Sequence, residues 1–186
     1  MSTTAKLLKR PAKNLPCISL IGMAGCGKTT VGLALAKALG WAFMDTDQLI
    51  ESAYGTRLQD IADRLTKDEF LDMEAEMICS LRASRTVVAT GGSVVYRDAS
   101  MRHLQSLGPI VRLDCPLAVV LERISHNPDR GLAIAEGQTI EDLYLERQQL
   151  YVRYADIACN ATRSPSQCAE WILARLPKGI AGPAEG

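Results

Sequence analysis

At 186 residues, with acidic and basic side chains balanced at 21 each, the chain carries no net field that would draw it to nucleic acid or to a membrane surface. Hydrophobic residues make up 47% and charged residues 23%, the balance of an ordinary soluble protein, and the length suits one domain with a substantial core. No apolar run reaches the length of a membrane span, and the basic stretch at Lys6, Lys9, Arg10 and Lys13 lacks the apolar segment of a secretory signal. The expectation is a cytoplasmic monomer with a flexible leader over residues 1–15, a single domain over 16–176, and a flexible tail over 177–186. The six cysteines are scattered, with no C-x-x-C pair and no zinc spacing, and read as buried thiols.

The first apolar run, Cys17 to Ile21, reads as a strand and leads straight into Gly22-Met23-Ala24-Gly25-Cys26-Gly27-Lys28-Thr29. That spacing, G-x-x-x-x-G-K-[ST] between a strand and a helical pattern, is the signature of a phosphate-binding loop. The glycines let the backbone curl so that its N–H groups face phosphate oxygens. The helix that follows adds the positive end of its dipole, Lys28 adds a full charge, and Thr29 offers a hydroxyl suited to Mg²⁺. Residues Gly25 to Thr30 therefore point to a bound nucleoside triphosphate. Cys26 lies inside the loop, either as an oxidation-sensitive thiol or simply as a small residue at an unspecified position.

Helix is expected over Thr29 to Leu39, closed by Gly40. Trp41 to Met44 reads as a second strand ending at Asp45-Thr46-Asp47, where Asp47 can cap a helix running to Tyr54. From Thr56 to Arg85 the apolar spacing is helical throughout and predicts a lobe beside the sheet, spanning about residues 47–85. Thr86 to Thr90 is a β-branched buried strand followed by Gly91-Gly92-Ser93. A helix over Asp98 to Leu107 precedes a fourth strand at Ile110 to Leu113, and Pro116 opens another helix to about Ser125. Residues 126–138 read as a loop or lid. Thr139 and Asp142 form a capping pair for a helix to Tyr154, Ile157 to Cys159 is a fifth strand, and Ser164-Pro165 starts a last helix to Leu176. Strands alternating with helices predict a parallel, three-layer α/β/α sheet with its ligands at the carboxyl ends of the strands.

Phosphoryl transfer requires held phosphates, a held metal, neutralised charge and an aligned acceptor hydroxyl. Asp45, at a strand end beside the loop, is placed to serve Mg²⁺ directly or through water, and Asp47 to orient the acceptor or take its proton. Arg130, in the expected lid, can close over the γ-phosphate. Arg147, among Glu146, Gln148 and Gln149, would ordinarily be a solvated arginine, and spacing alone does not decide its role.

Taken in order, these motifs resemble the shikimate kinase family of P-loop kinases over about Pro16 to Leu176. The resemblance rests on Gly22 to Thr30, Asp45-Thr46-Asp47 with Ile50-Glu51 and Gly55, Phe70 with Glu74, and the glycines after the third strand. It continues through Arg123, Arg130 and Arg147 to Leu150-Tyr151. It implies a five-stranded sheet in order 2-3-1-4-5, ATP and Mg²⁺ as cofactors, and a small hydroxy acid as substrate. Asp45 would then serve the metal, Asp47 the substrate hydroxyl, Gly91 and Gly92 the substrate through their backbone, and Arg147 the substrate carboxylate. Arg130 would be the lid arginine, with Arg123 and Pro165 flanking adenine.

The chain departs from the family pattern mainly on the acceptor side. Leu71 stands where the family's Phe-Arg-x-x-Glu has a carboxylate-binding arginine, a contact worth about 1.5–3 kcal/mol. Thr66-Lys67 replaces a Gly-Glu pair, Ser93 a third glycine, and Gly131 a proline in the lid. Leu71 makes that wall less polar and leaves Glu74 without its family partner, which Arg64 or Lys67 would have to replace. Shikimate is the default acceptor, L-homoserine the specific alternative, since its ammonium suits an unpaired Glu74, and a non-catalytic nucleotide-binding regulatory protein the reading from another class.

Overall fold

The computed structural model describes residues 15–126, 134 and 137–180. Most of the expected leader and lid, Arg130 included, and the last part of the expected tail lie outside these residues.

Five parallel strands form one sheet in the order β2-β3-β1-β4-β5, with β1 Ile18–Ile21, β2 Ala42–Asp45, β3 Thr86–Ala89, β4 Ile110–Asp114 and β5 Ile157–Asn160. The central strands β1 and β3 are buried at every position, as expected of strands covered on both faces. The edge strand β5 instead alternates buried Ile157 and Cys159 with exposed Ala158 and Asn160. Among the described residues, eight helices complete the α/β/α layers: α1 Lys28–Leu39, α2 Thr46–Tyr54, α3 Leu58–Ala62, α4 Lys67–Ser80, α5 Asp98–Leu107, α6 Leu117–Ser125, α7 Ile140–Tyr154 and α8 Pro165–Leu173. Helices α1 and α8 pack together, as do α4 and α5, while α7 lies against β4.

The sheet and its helices share one large apolar core, whose members include Leu20, Leu35, Val87, Met101, Ile110 and Ile172. A smaller cluster of Ile50, Leu58, Ile61 and Phe70 sits under α2, α3 and α4. The helical spacing over Thr56 to Arg85 resolves into two helices, α3 and α4, with a break between them. The cause is local: the Thr66 hydroxyl accepts from the Glu69 N–H while the Glu69 carboxylate accepts from the Thr66 N–H, a capping box that starts a new helix. The last helix ends at Leu173 rather than Leu176, with the N–H groups of Arg175 and Leu176 both turning back to the Ile172 carbonyl. Capping at Thr139 and Ser164 matches the expected helix starts. Between β3 and α5 a single 3-10 turn, Val94–Tyr96, follows the glycines directly.

Candidate active site

The carboxyl ends of β1, β2 and β3 open into one cleft of about 540 Å³. Its lining runs from the phosphate loop (Ala24 to Val31) through Asp45, Asp47, Phe70, Glu74 and Gly91 to Ser93, with Arg123, Arg147 and Pro165 also on the wall. The residues expected from sequence, outside the lid, thus meet in one place. Leu71 is the exception. It is buried at 3% exposure and is not among the cleft residues, so the wall is formed by its neighbours Phe70 and Glu74 instead.

At the nucleotide end, Gly27 caps α1 with φ 96°, a left-handed geometry that a side chain would strain. The Lys28 ammonium donates to the carbonyls of Gly22 and Met23 at 2.7 and 2.9 Å, folding its charge across the loop. Arg123 donates to the Gly25 carbonyl at 3.2 Å, which fastens α6 to the same loop. Cys26 is 1% exposed and lies against Gly22 and Lys28, a packed residue of the loop.

The Thr29 hydroxyl donates to Asp45 Oδ2 at 2.8 Å. Asp45 Oδ1 accepts from the Asp47 N–H at 3.1 Å, so Asp45, not Asp47 as expected, caps α2. That releases the Asp47 side chain from capping and turns it to the cleft. No group of three or more His, Cys, Asp or Glu gathers among the described residues in a way that would cage a metal. A hydroxyl and one carboxylate facing a phosphate loop still fit Mg²⁺, which keeps several waters and takes its other ligands from phosphate oxygens.

At the other end the glycine backbone is pinned. The Gly91 N–H donates to the hydroxyl of Thr46, itself fully buried, and the Gly92 carbonyl accepts from the Tyr151 hydroxyl at 2.6 Å. The Gly91 N–H is thereby engaged within the protein, which narrows any backbone contact with a ligand to the other groups of this turn. A side chain on Gly91 would run into the Glu74 carboxylate and stand 2.9 Å from Asp47 Oδ1, so both acids close on this one point. Burial and the neighbouring Asp47 push the Glu74 carboxyl up to about 7, against the smaller opposing pull of Ser93, Arg147 and Lys28. Glu74 is 2% exposed. Arg147 is 1% exposed rather than solvated, with Nε donating to the Tyr96 hydroxyl at 3.3 Å. Its burial follows from α7, which turns Leu143, Arg147, Tyr151 and Tyr154 inward on one face. Of the substitutes for the absent family arginine, Arg64 is exposed and Lys67 stands over the Tyr96 ring at 5.1 Å, neither of them on the cleft wall.

Thr90, His126 and Arg163 also line the cleft without having been singled out from sequence, as does Glu51, which was named only as part of the resemblance. Arg163 carried a usable signal, since it follows β5 at its carboxyl end and stands two residues before Pro165. His126 carried none, because a residue at the end of a helix says nothing by itself about what it faces. No helix among the described residues is long and apolar enough to cross a membrane.

The family profile described as shikimate kinase matches residues 24–177. Shikimate kinase 2 of Escherichia coli is 34% identical over 166 residues, which covers 87% of this chain and 95% of the relative. Shikimate kinase from Acinetobacter baumannii, solved in complex with shikimate, superposes with a TM-score of 0.77 at 31% identity, covering 86% of this chain and 91% of the other. Shikimate kinase from Aquifex aeolicus gives a TM-score of 0.73 at 28% identity, covering 85% and 94%. With its phosphate loop, its strand order and its sequence all in agreement, the chain belongs to the shikimate kinase family, ATP- and Mg²⁺-dependent kinases that phosphorylate a hydroxyl group.

Proposed function

We propose that the chain transfers the γ-phosphoryl group of ATP to a hydroxyl of shikimate. The observation that carries this reading is the buried Arg147, which lines the same cleft as Asp47 and the phosphate loop. An arginine fork is the side chain best suited to a carboxylate, and a carboxylate beside the reacting hydroxyl is what shikimate presents. In this reading Gly25 to Thr30 hold the phosphates and Lys28 neutralises their charge, while Arg123 and Pro165 border the adenine. Thr29 and Asp45 hold Mg²⁺, which when bound neutralises charge on the β- and γ-phosphates. Asp47 orients the acceptor hydroxyl and takes its proton as the new O–P bond forms and the bond to the β-phosphate oxygen breaks. Arg130 lies outside the described residues and keeps its expected place at the phosphates as part of the proposal.

A second reading, phosphorylation of L-homoserine, draws on one observation. The acceptor end carries the carboxylates of Asp47, Glu51 and Glu74, and the arginine there among the described residues is Arg147. An acceptor with both a carboxylate and an ammonium would match that inventory. The third reading, a non-catalytic nucleotide-binding protein, falls because the family is one of enzymes. ADP release measured side by side with each acceptor separates the first two. Acceleration by shikimate and none by L-homoserine supports the first reading; the reverse overturns it.

A further inference from the structure

Tyr96 belongs to no motif of the phosphate loop or the acceptor site and does not line the cleft. It ends the 3-10 turn that follows Gly91-Gly92-Ser93, and its half-buried ring lies between two cations. The Lys67 ammonium stands 5.1 Å from the ring centroid and the Arg147 guanidinium carbon 5.2 Å, both within cation–π range. Its hydroxyl accepts from Arg147 Nε at 3.3 Å and is also paired with the Glu146 carboxylate, which takes a further bond from Gln138. A phenol suits both partners, because it donates to a carboxylate and accepts from a guanidinium at once.

We infer that Tyr96 is a positioning residue for acceptor recognition: it holds Arg147 by Nε and by its ring face so that the terminal guanidinium nitrogens present to the acceptor carboxylate. The inference rests on the role proposed for Arg147. Nη1 stands 3.0 Å from where a Gly92 side chain would begin, so the guanidinium is directed at the glycine turn that borders the cleft. Orientation matters more in this chain than in a site with two arginines. With Leu71 packed away from the cleft, the guanidinium beside Glu74 and the glycine turn among the described residues is that of Arg147, and a planar fork loses its bidentate geometry if it swings. Burial raises the Tyr96 phenol further above its ordinary range, which keeps the hydroxyl neutral and able to bridge the two charged groups at neutral pH.

The experiment compares wild type, Tyr96→Phe, Tyr96→Leu and Arg147→Ala in ADP release. The acceptor is whichever of shikimate and L-homoserine supports turnover, together with its analogue lacking the carboxylate. Tyr96→Phe is expected to raise the acceptor KM by about ten-fold while leaving the KM for ATP and the melting temperature unchanged, and Tyr96→Leu to raise it further. Both should shrink the preference for the acceptor over its descarboxy analogue, as Arg147→Ala should in full. A purely structural role would weaken the two acceptors equally, and that result overturns the inference. So does an acceptor KM within two-fold of wild type in Tyr96→Phe, or an Arg147→Ala variant that keeps the preference. Failure of shikimate to support turnover in wild type instead overturns the functional reading and leaves the Tyr96 comparison to be read with the other acceptor.

Discussion

The Thr29 hydroxyl and the Asp45 carboxylate are joined across 2.8 Å, which ties the first turn of α1 to the end of β2. The other oxygen of the same carboxylate caps α2 through the Asp47 N–H. Asp45 therefore has two duties that substitution can separate. Asp45→Asn keeps an acceptor oxygen for the cap and loses the charge, so it should raise the Mg²⁺ concentration needed for half-maximal rate while melting close to wild type. Asp45→Ala should lose both, and a lost N-cap costs about 1 kcal/mol. Melting curves and Mg²⁺ titrations of the pair check this, and equal melting losses in both variants would refute the division.

In the proposed reaction Lys28 and Asp47 act at opposite ends of the transfer. Lys28→Ala should lower turnover by about 100-fold or more, since it removes the charge folded across the loop carbonyls. Asp47→Asn should leave ATP binding, measured by calorimetry, near wild type and cut transfer by about 100-fold or more. Equal loss of ATP affinity in Asp47→Asn would contradict its proposed place at the acceptor.

Gly91 marks where the acceptor wall is tightest. A methyl group there meets the buried Glu74 carboxylate and stands 2.9 Å from Asp47 Oδ1. Gly91→Ala should therefore raise the acceptor KM and destabilise the fold by about 1–3 kcal/mol, the range for overpacking, with the KM for ATP little changed. Steady-state kinetics in both substrates and urea denaturation give the two readouts.

Glu74 makes a prediction about pH. Its folded carboxyl titrates at about 7, above the usual glutamate range, because of burial first and Asp47 second. Between the two values the folded state holds a proton that the unfolded chain has released, so the contribution of Glu74 to stability declines as pH rises towards 7 and is flat above it. Glu74→Gln removes the buried charge that forms on the high side. Its denaturation midpoint should gain on wild type between pH 5 and pH 8. A difference between the two proteins that stays constant over this range would show that Glu74 does not titrate there.

The phosphate loop, the strands and most helix limits were legible because each rests on short-range rules: glycine at left-handed positions, capping pairs, β-branched runs; the strand order came from the family resemblance instead. Helical spacing over Thr56 to Arg85 did not show where one helix ends and the next begins, because the cap at Thr66 and Glu69 that separates α3 from α4 lies inside a continuous apolar pattern. Reading failed at another helix start, at Asp45 and Asp47, because either acid could cap α2 and only backbone geometry chooses between them. Spacing alone did not decide the role of Arg147 among its polar neighbours. Its burial depends on α7 lying against β4 and the glycine turn, contacts that no window around residue 147 contains.

By itself, the sequence determined the nucleotide end. Eight consecutive residues build it, and backbone N–H groups, a helix dipole and one lysine act through local geometry that travels with the motif. The acceptor end was decided by the tertiary structure, because its groups come from α2, α4, the turn after β3 and α7, and their charges interact only once folding removes the water between them. There Leu71 matters less as a wall than as a vacated role: it packs inward and leaves the cleft to Glu74, Asp47 and an arginine held by Tyr96.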